Sequence, residues 1–334
     1  MTTLWDTTGT EVVRELAAER RNGGVASGLA LTLVVIAEER RVPVVEEAVT
    51  IAAAAHPCRL LLVTRLAHQA ARMPDRLDAE IVVGGRLGGC EAVELRMQGR
   101  LALHAESVVM PLLAPDVPVV TWWHSPPPDR ISTDPLGVVA WRRITDCAQA
   151  DDPVSALHRR AVDYAAGDTD LSWTRLTRWR TLVVGALDGT AEPVVTAAAV
   201  RGPAGDPGTA LLAGWLRARL GLVPDREEPD REEPDREESA SGSLEAVRLD
   251  LSGGDRVTFR RLDGAVETTR TGQETRIMPL LSRTLGELLA EELRRLGTDR
   301  TYADALAAAT GVAGLRERPG TRVHTWVDPE EVAA

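Results

Sequence analysis

Residues 29–64 read LALTLVVIAEERRVPVVEEAVTIAAAAHPCRLLLVT, and this stretch decides the fold of the first half of the chain. The run at 29–37 is aliphatic and β-branched with no polar alternation, which predicts a strand covered on both faces. A helix is expected from Pro43, because proline is favoured in a first helical turn, and it should end before Pro57. The apolar run at 58–64 predicts a second strand, parallel to the first, so the segment is a βαβ unit.

The segments around this unit extend it into an α/β domain. Capping side chains at 5–9 precede a helix with apolar residues at helical spacing, and this helix should end near Gly23. Further strands are predicted at 77–83, 92–97 and 118–122, with a helix at 101–113. We therefore expect an N-terminal α/β domain over residues 1–150, with a βαβ-type mixed sheet.

The second half has a different pattern. A helical segment follows Asp170, a strand is predicted at 193–200 and a helix at 209–220. Later runs alternate apolar and polar residues and are joined by the turn pairs Gly253-Gly254 and Asp263-Gly264, which predicts an antiparallel meander. Two closing helices at 284–296 and 302–309 complete a second α/β domain over 151–334.

An acidic repeat interrupts this second domain. Residues 224–238 read PDREEPDREEPDREE and contain no apolar stripe, so we expect a disordered linker at 222–242 that acts as a solvated spacer.

The composition limits the classes of function. The formal charge of −11 argues against nucleic acid as the main partner, and the absence of lysine excludes Schiff-base and P-loop lysine chemistry. Three widely spaced cysteines form neither a disulfide framework nor a metal knuckle. The N-terminus lacks the pattern of a signal peptide, and no long apolar run is present. We expect a cytoplasmic protein without a membrane partner.

The familiar catalytic and cofactor motifs are missing. The glycine-rich stretch 84–89 has the wrong spacing for a dinucleotide turn, and a hairpin turn is the favoured reading. None of the six histidines is spaced as a helical zinc pair. Cys58 would be reactive at a helix terminus beside Arg59, but a buried structural thiol is the favoured alternative. We expect no cofactor, no metal and no catalytic residue.

Two tryptophan-rich segments are the candidate binding sites. Trp122 and Trp123 end a strand before a proline-rich loop, and adjacent strand residues point to opposite faces, so at most one should enter the core while the other stays near the surface. The exposed one would be a binding anchor, and packing under the loop is an equal alternative.

The second segment, 167–180, begins a helix and combines tryptophan, arginine and aspartate. Such a composition is common at protein interfaces, and its arginines could also hold a sugar phosphate. The alternative is a capped helix start with both tryptophans in the core. The candidate partner-binding residues here are Asp168, Asp170, Trp173, Arg175, Trp179 and Arg180.

In order along the chain, these landmarks resemble the OpcA family of glucose-6-phosphate dehydrogenase assembly proteins in its actinobacterial form. The stretches that carry the resemblance are LWDTTG (4–9), EVVRELAAERR (11–21), LTLVV (31–35), AHPCR (55–59), RLDAEI (76–81), HAESVV (104–109), PVVTWW (118–123), RITD (143–146), GDTDLSWTRL (167–176), LLAGWL (211–216) and LLAEELRRL (288–296).

The resemblance implies a non-catalytic accessory protein. It would bind glucose-6-phosphate dehydrogenase as a hetero-oligomer, promote its assembly or activity, and so support the oxidative pentose phosphate pathway and NADPH supply. Loss of Trp173 or Arg175 is then expected to weaken the complex without unfolding the chain. Thiol redox control, associated with photosynthetic members, is not expected here, since no two cysteines are close in sequence. The alternative function is a sugar-phosphate sensor or small-molecule enzyme that uses Arg175, Arg178 and Arg180.

Overall fold

A computed structural model describes residues 1–23, 28–65, 73–84, 90–187, 194–228, 243–320 and 323 of the 334 residues. The chain divides into two compact units. Unit 1 contains Met1–Thr145 and Thr284–Thr298, and unit 2 contains Asp146–Arg283 and Asp299–Pro319.

The elements of unit 1 up to residue 145 alternate strands and helices. In chain order they are β1 (Thr2–Leu4), α1 (Gly9–Gly23), β2 (Leu31–Ala37), α2 (Val42–Ala55), β3 (Cys58–Arg65), β4 (Arg76–Val83), β5 (Glu91–Gln98), α3 (Ala105–Val109), β6 (Val119–Trp123), α4 (Pro135–Val138) and β7 (Arg142–Thr145).

Unit 2 continues with helices and a second sheet. Its elements are α5 (Pro153–Asp163), β8 (Asp168–Asp170), α6 (Leu171–Arg175), α7 (Thr177–Leu187), β9 (Val195–Arg201), α8 (Pro207–Leu220), β10 (Asp225–Glu227), β11 (Ala246–Leu251), β12 (Arg256–Leu262), β13 (Ala265–Arg270) and β14 (Arg276–Pro279). Two helices follow: α9 (Leu285–Arg294) belongs to unit 1 and α10 (Arg300–Thr310) to unit 2.

The predicted βαβ unit is confirmed. Strands β2 and β3 pair in parallel from Leu31 opposite Cys58 to Ala37 opposite Thr64, and every residue of β2 is buried. The strands of unit 1 lie in the order β1-β4-β5-β3-β2-β6-β7, and β4 runs antiparallel to both of its neighbours. The sheet of unit 1 is therefore mixed, as the sequence predicted.

The helix predicted at 101–113 is wrong. The structure has a 3-10 turn at Gly99–Leu103, the short helix α3, and another 3-10 turn at Met110–Leu112. His104 has a non-helical backbone between the first two pieces. Pro111 lacks the N–H group that a continuing helix needs, so the segment cannot form one regular helix.

The antiparallel meander of unit 2 is confirmed. Its sheet has the order β10-β9-β11-β12-β13-β14, and β11 to β14 pair antiparallel in sequence. The turn between β12 and β13 uses Gly264, whose φ of 61° lies in the left-handed region that favours glycine. The two α/β parts of the predicted fold class are thus both present.

Part of the predicted linker is ordered. Asp225–Glu227, in the first copy of the acidic repeat, form β10, which pairs in parallel with β9. Glu227 makes ion pairs with Arg201 at 3.2 Å and Arg248 at 3.0 Å, which the charge pattern alone did not reveal. The prediction of disorder from residue 222 is wrong for this strand, and residues 229–242 lie outside the described part of the chain.

The segment 284–298 was predicted to belong to the second domain, whereas the structure places it in unit 1. Helix α9 packs on α2 so closely that a Cβ on Gly286 would lie 2.6 Å from Cβ of Ile51. Glu292 of α9 also forms a buried ion pair with Arg142 of β7. Contacts distant in sequence therefore decide its assignment.

Candidate functional site

The tryptophans of β6 are both buried. Trp122 and Trp123 point to opposite faces of the sheet, and each face is covered, since Val35 and Ile36, their register partners on β2, are buried as well. The prediction that one of the two stays near the surface is wrong. Neither side chain offers a surface to a partner in this structure.

The segment 167–180 adopts the arrangement of a capped helix start over a core. Trp173 and Trp179 are buried in the hydrophobic cluster of unit 2. The indole N–H of Trp173 donates a 2.9 Å hydrogen bond to Asp299, and the guanidinium carbon of Arg180 lies 3.6 Å from the centroid of the Trp173 ring. Replacement of Trp173 would therefore destabilise unit 2, because this side chain packs in the core and not at the surface.

The two aspartates of this segment hold backbone groups. Asp168 accepts a 2.8 Å hydrogen bond from the N–H of Ala165. Asp170 is fully buried, accepts from the N–H groups of Cys147 and Ser172 at 2.9 Å each, and so caps α6. Both carboxylates are buried and hold the local backbone in place through these hydrogen bonds.

The three arginines predicted to hold a phosphate have different partners. Arg180 covers the Trp173 ring and donates to Thr177 at 3.1 Å. Arg175 makes two 2.7 Å hydrogen bonds to Asp146; burial lowers its pKa, but these bonds and the Asp146 charge outweigh that effect and raise it. The side chain of Arg175 remains 39% exposed. Arg178 donates to the carbonyl of Leu281 at 2.9 Å.

Arg175 and Arg178 instead line a cleft within unit 2, which we call the arginine cleft. Its volume is about 220 Å³. Four arginines, one aspartate, three serines and several apolar side chains form its wall: Arg175, Arg178, Arg261, Arg283, Asp206, Ser172, Ser243, Ser282, Leu176, Trp179, Leu244, Leu280 and Leu281, with Ala148 and Gly208.

The cleft arginines other than Arg175 donate to backbone carbonyls. Arg261 donates from Nε to Leu244 O at 2.8 Å, its guanidinium lies 5.4 Å from the Trp179 ring centroid, and Arg283 donates to Thr174 O at 3.3 Å. Burial lowers the pKa of Arg261, partly offset by the charges of Asp206 and Glu245, but arginine stays protonated at neutral pH. Among the described residues, no carboxylate lies within ion-pair distance of Arg178 or Arg261.

Two buried hydrogen-bonding atoms of the cleft wall have no partner within the described chain. They are the hydroxyl oxygen of Ser172 and the indole nitrogen of Trp179. Buried polar groups in folded proteins nearly always have a partner, because an unmet one costs about 1 to 3 kcal/mol. Both atoms are themselves inaccessible to solvent, so they lie behind the surface of the cleft and are not open to it.

Sequence analysis missed Arg261 and Arg283 because they lie far along the chain from 175–180. One signal for Arg261 was present. Val257 and Phe259 are buried, so the alternation of β12 places Arg261 on the same apolar face, where an arginine is unexpected.

The cysteines are arranged differently from what their spacing suggested. All three are buried, as favoured for Cys58, but the N–H of Cys58 donates to Sγ of Cys90 at 3.3 Å. A hydrogen bond between the two thiol side chains lowers the pKa of Cys90 to about 6, and the same bond together with burial raises the pKa of Cys58. The pairing of β3 with β5 brings these two residues together, and only their distance in sequence concealed it.

The remaining candidates do not form a site in the described residues. No group of three or more His, Cys, Asp or Glu side chains there could hold a metal ion. Residues 85–89 of the glycine-rich stretch, His68 and His324 lie outside the described residues. Of the helices that the structure describes, none has the length and apolarity needed to span a membrane.

Exposed apolar side chains mark a second surface of unit 2. Ile277 and Leu281 are 64% and 65% exposed, and Pro279 between them is exposed as well. Ile277 and Pro279 are two residues apart on the edge strand β14 and so share a face, and Leu281 follows the end of that strand; we call these three residues the edge stripe. Among the described residues of unit 1, the exposed tryptophans are Trp5 and Trp141, which the sequence analysis did not select as anchors.

Comparison with known proteins identifies the family. Residues 49–162 match the family model described as the glucose-6-phosphate dehydrogenase subunit N-terminal domain of OpcA, and residues 166–306 match the corresponding C-terminal domain. No curated protein matches. The crystal structure of a dehydrogenase (MviM) from Clostridium difficile is similar at a TM-score of 0.32 and 8% identity, covering 83% of this chain and 96% of that one, which is too remote to carry an argument. Since the two family models together cover most of the sequence, the chain belongs to the OpcA family of glucose-6-phosphate dehydrogenase assembly proteins.

Proposed function

We propose that this chain is a non-catalytic accessory protein of the cytoplasm that binds glucose-6-phosphate dehydrogenase and promotes its assembly or activity. The observation that carries the proposal is the match of two consecutive family models, both described as domains of a subunit of that enzyme. In this function the dehydrogenase supplies the catalytic groups and the nucleotide site, and the accessory chain acts through its surface.

The edge stripe is the part of unit 2 that we assign to the partner. An exposed apolar edge strand tends to associate with another chain, whereas single exposed apolar residues are ordinary. Ile277 and Pro279 of β14 and Leu281 just after it are all exposed, and Arg178 donates to the carbonyl of Leu281. Apolar contact next to an arginine is typical of the centre of a protein interface.

The effect on the enzyme would follow from mass action. If the chain binds only the active oligomer of the dehydrogenase, its binding stabilises that oligomer relative to inactive forms. Coupling free energies of this kind are about 1 to 3 kcal/mol, which corresponds to a change of about 5- to 150-fold in the equilibrium. Activation is therefore expected to be strongest at dilute dehydrogenase, where the active oligomer dissociates.

The test is a binding measurement with the dehydrogenase from the same organism, by sizing and mass photometry of the mixed proteins. Ile277→Glu should weaken the complex by about 10-fold or more, because a charge would be buried in an apolar contact. Val162→Glu on α5 is the matched control, since Val162 is 58% exposed in the same unit, and it should bind normally.

The possible failures separate two claims. If the wild-type chain forms no complex with the dehydrogenase at micromolar concentrations, the proposed function is wrong. If the complex forms and Ile277→Glu binds as tightly as Val162→Glu, the function stands and the assignment of the edge stripe is wrong.

A further inference from the structure

The first copy of the acidic repeat forms an edge strand of the unit 2 sheet. Asp225–Glu227 (β10) pair with β9, and the N–H of Gly202 donates to the carbonyl of Glu227 at 3.1 Å. The Glu227 carboxylate lies 3.2 Å from Arg201 and 3.0 Å from Arg248. The edge of β9 and these two arginines are therefore a binding site for a short acidic strand.

The sequence contains the bound segment three times. Residues 224–228, 229–233 and 234–238 each read PDREE, and we call the second and third of these the spare copies. An identical sequence offers β9 the same backbone groups and the same carboxylate. The contacts that hold β10 on β9 are therefore equally available to all three copies.

The connection to the next strand is long enough for each copy to reach β9. A Cβ on Gly202 would lie 3.3 Å from Cα of Leu244, and the N–H of the same glycine donates to Glu227. The end of β10 and the chain at Leu244 are thus within about 10 Å of each other. With the third copy on β9, residues 238–243 would bridge this gap, and a segment of that length extends to about 20 Å.

A change of copy moves unpaired residues from one side of the strand to the other. The connection from α8 becomes longer by one repeat while the connection to β11 becomes shorter by one repeat. The cost of closing a loop grows slowly, so a doubling of loop length changes an equilibrium by only about 3-fold. Because the two changes oppose each other, the populations of the three registers should agree within about 10-fold.

We propose that the edge of β9 is a shared binding site for all three copies of the repeat, and that residues 225–227, 230–232 and 235–237 exchange in it. An uncovered strand edge tends to pair with another chain. The spare copies keep the edge of β9 covered when the first copy leaves it. This binding site is independent of the proposed function, because it lies within the isolated chain and needs no dehydrogenase.

The test is brief trypsin digestion of the folded full chain, with mass spectrometry of the products of a single cut. Each copy has one arginine between the same neighbours, so the three cleavage sites are matched substrates. The cleavage rate follows the population in which a segment is open. Exchange predicts that Arg226, Arg231 and Arg236 are cut at similar rates, within about 10-fold of each other.

A double variant of the spare copies gives the decisive result. Glu232→Pro/Glu237→Pro removes from each spare copy the carboxylate and a backbone N–H, so neither should bind β9. The first copy should then stay bound, and cleavage after Arg226 should become about 5-fold slower. If this variant does not give the wild-type circular dichroism spectrum, Glu232→Ala/Glu237→Ala takes its place and should change the rate in the same direction.

The matched control changes the next residue of each spare copy. Glu233 and Glu238 correspond to Glu228, which follows the end of β10. Glu233→Pro/Glu238→Pro introduces the same prolines outside the segment that corresponds to the strand. It should leave cleavage after Arg226 at the wild-type rate.

Hydrogen exchange at the amide of Gly202 provides a second measurement. In the structure this amide donates to Glu227 of the first copy. Glu227→Pro should leave its protection within about 3-fold of wild type, since a spare copy supplies the equivalent carbonyl. The triple variant Glu227→Pro/Glu232→Pro/Glu237→Pro should lose this protection.

Three results would overturn the proposal. The first is an unchanged rate of cleavage after Arg226 in Glu232→Pro/Glu237→Pro. The second is equal slowing in the control variant, which would show that the prolines act without regard to strand position. The third is loss of Gly202 protection in Glu227→Pro alone, which would show that only the first copy covers β9. None of these results bears on complex formation with the dehydrogenase.

Discussion

The buried arginines of unit 1 and the cleft arginines of unit 2 have different kinds of partner. In unit 1, Arg59 donates to Glu91 at 2.8 Å and Arg142 pairs with Glu292, and all four side chains are nearly inaccessible. In the cleft of unit 2, Arg178 and Arg261 donate to backbone carbonyls and have no carboxylate within ion-pair distance among the described residues. The charges of the unit 1 arginines are matched by carboxylates, whereas those of the two cleft arginines are not matched by a carboxylate of the described residues.

This difference separates arginines that pair with carboxylates from arginines that donate to backbone carbonyls. A buried charge costs several kcal/mol unless it is paired, and Arg59 and Arg142 each have a carboxylate partner. The cleft arginines avoid this cost because they border an open space of about 220 Å³. An arginine at the start of a helix does not by itself indicate a binding site. The two groups are distinguished by the partner of each guanidinium, which is a carboxylate in one group and a backbone carbonyl in the other.

The largest effect on stability is expected when a buried arginine–carboxylate pair is broken. Glu292→Ala leaves Arg142 buried without its carboxylate, and it should lower the free energy of unfolding of unit 1 by about 3 to 5 kcal/mol. The measurement is thermal and urea denaturation of the variant. The double variant Arg142→Leu/Glu292→Leu should recover most of the loss, since it removes both charges together.

The Arg142–Glu292 experiment also tests the assignment of α9 to unit 1. If Glu292→Ala unfolds with the wild-type midpoint, then the pair does not hold α9 to the sheet of unit 1, and the contrast between the two groups of arginines fails.

An intermediate effect is expected for Arg175, which is paired but 39% exposed. Arg175→Gln should cost about 1 kcal/mol, since solvent screens the pair with Asp146 even though its geometry is bidentate. Denaturation of unit 2 provides the measurement. A cost as large as that of Glu292→Ala would mean that exposure does not set the strength of these pairs.

The smallest effect on stability is expected for Ser172→Ala. The change removes a buried hydroxyl that has no described partner, so the unfolding free energy should stay the same or rise by up to about 1 kcal/mol. Thr209→Ala is the control, because the hydroxyl of Thr209 donates to Asp206 at 2.7 Å and its loss should destabilise. Destabilisation of the ligand-free chain by Ser172→Ala would show that the hydroxyl is already satisfied.

The regular elements of the fold could be predicted where local patterns are strong. Three local patterns predicted structures that are present in the folded chain: the apolar run at 29–37, the proline at 43 and the turn at Asp263-Gly264. The broken helix at 99–112 and the ordered first copy of the acidic repeat were missed. The first depends on a non-helical residue at His104, and the second on pairing with β9, which no local pattern reveals.

The candidate site was harder to predict, because it depends on burial and on residues far apart in sequence. The tryptophans selected as candidates are all buried, namely Trp122, Trp123, Trp173 and Trp179. The sequence alone does not show whether a tryptophan side chain is buried or exposed. Arg175 and Arg178 were found, but the cleft also needs Arg261 from β12 and Arg283. The segments that line the cleft come together because α6 and α7 pack beside the sheet of unit 2.

The most direct test of the account is the rate of NADPH formation from glucose 6-phosphate and NADP, measured with the chain alone, with dilute dehydrogenase alone, and with both. The account predicts no turnover by the chain alone and a saturable rise in the dehydrogenase rate as the chain is added, together with a complex of defined mass. Turnover by the chain without dehydrogenase, or an unchanged dehydrogenase rate with no complex, would contradict it.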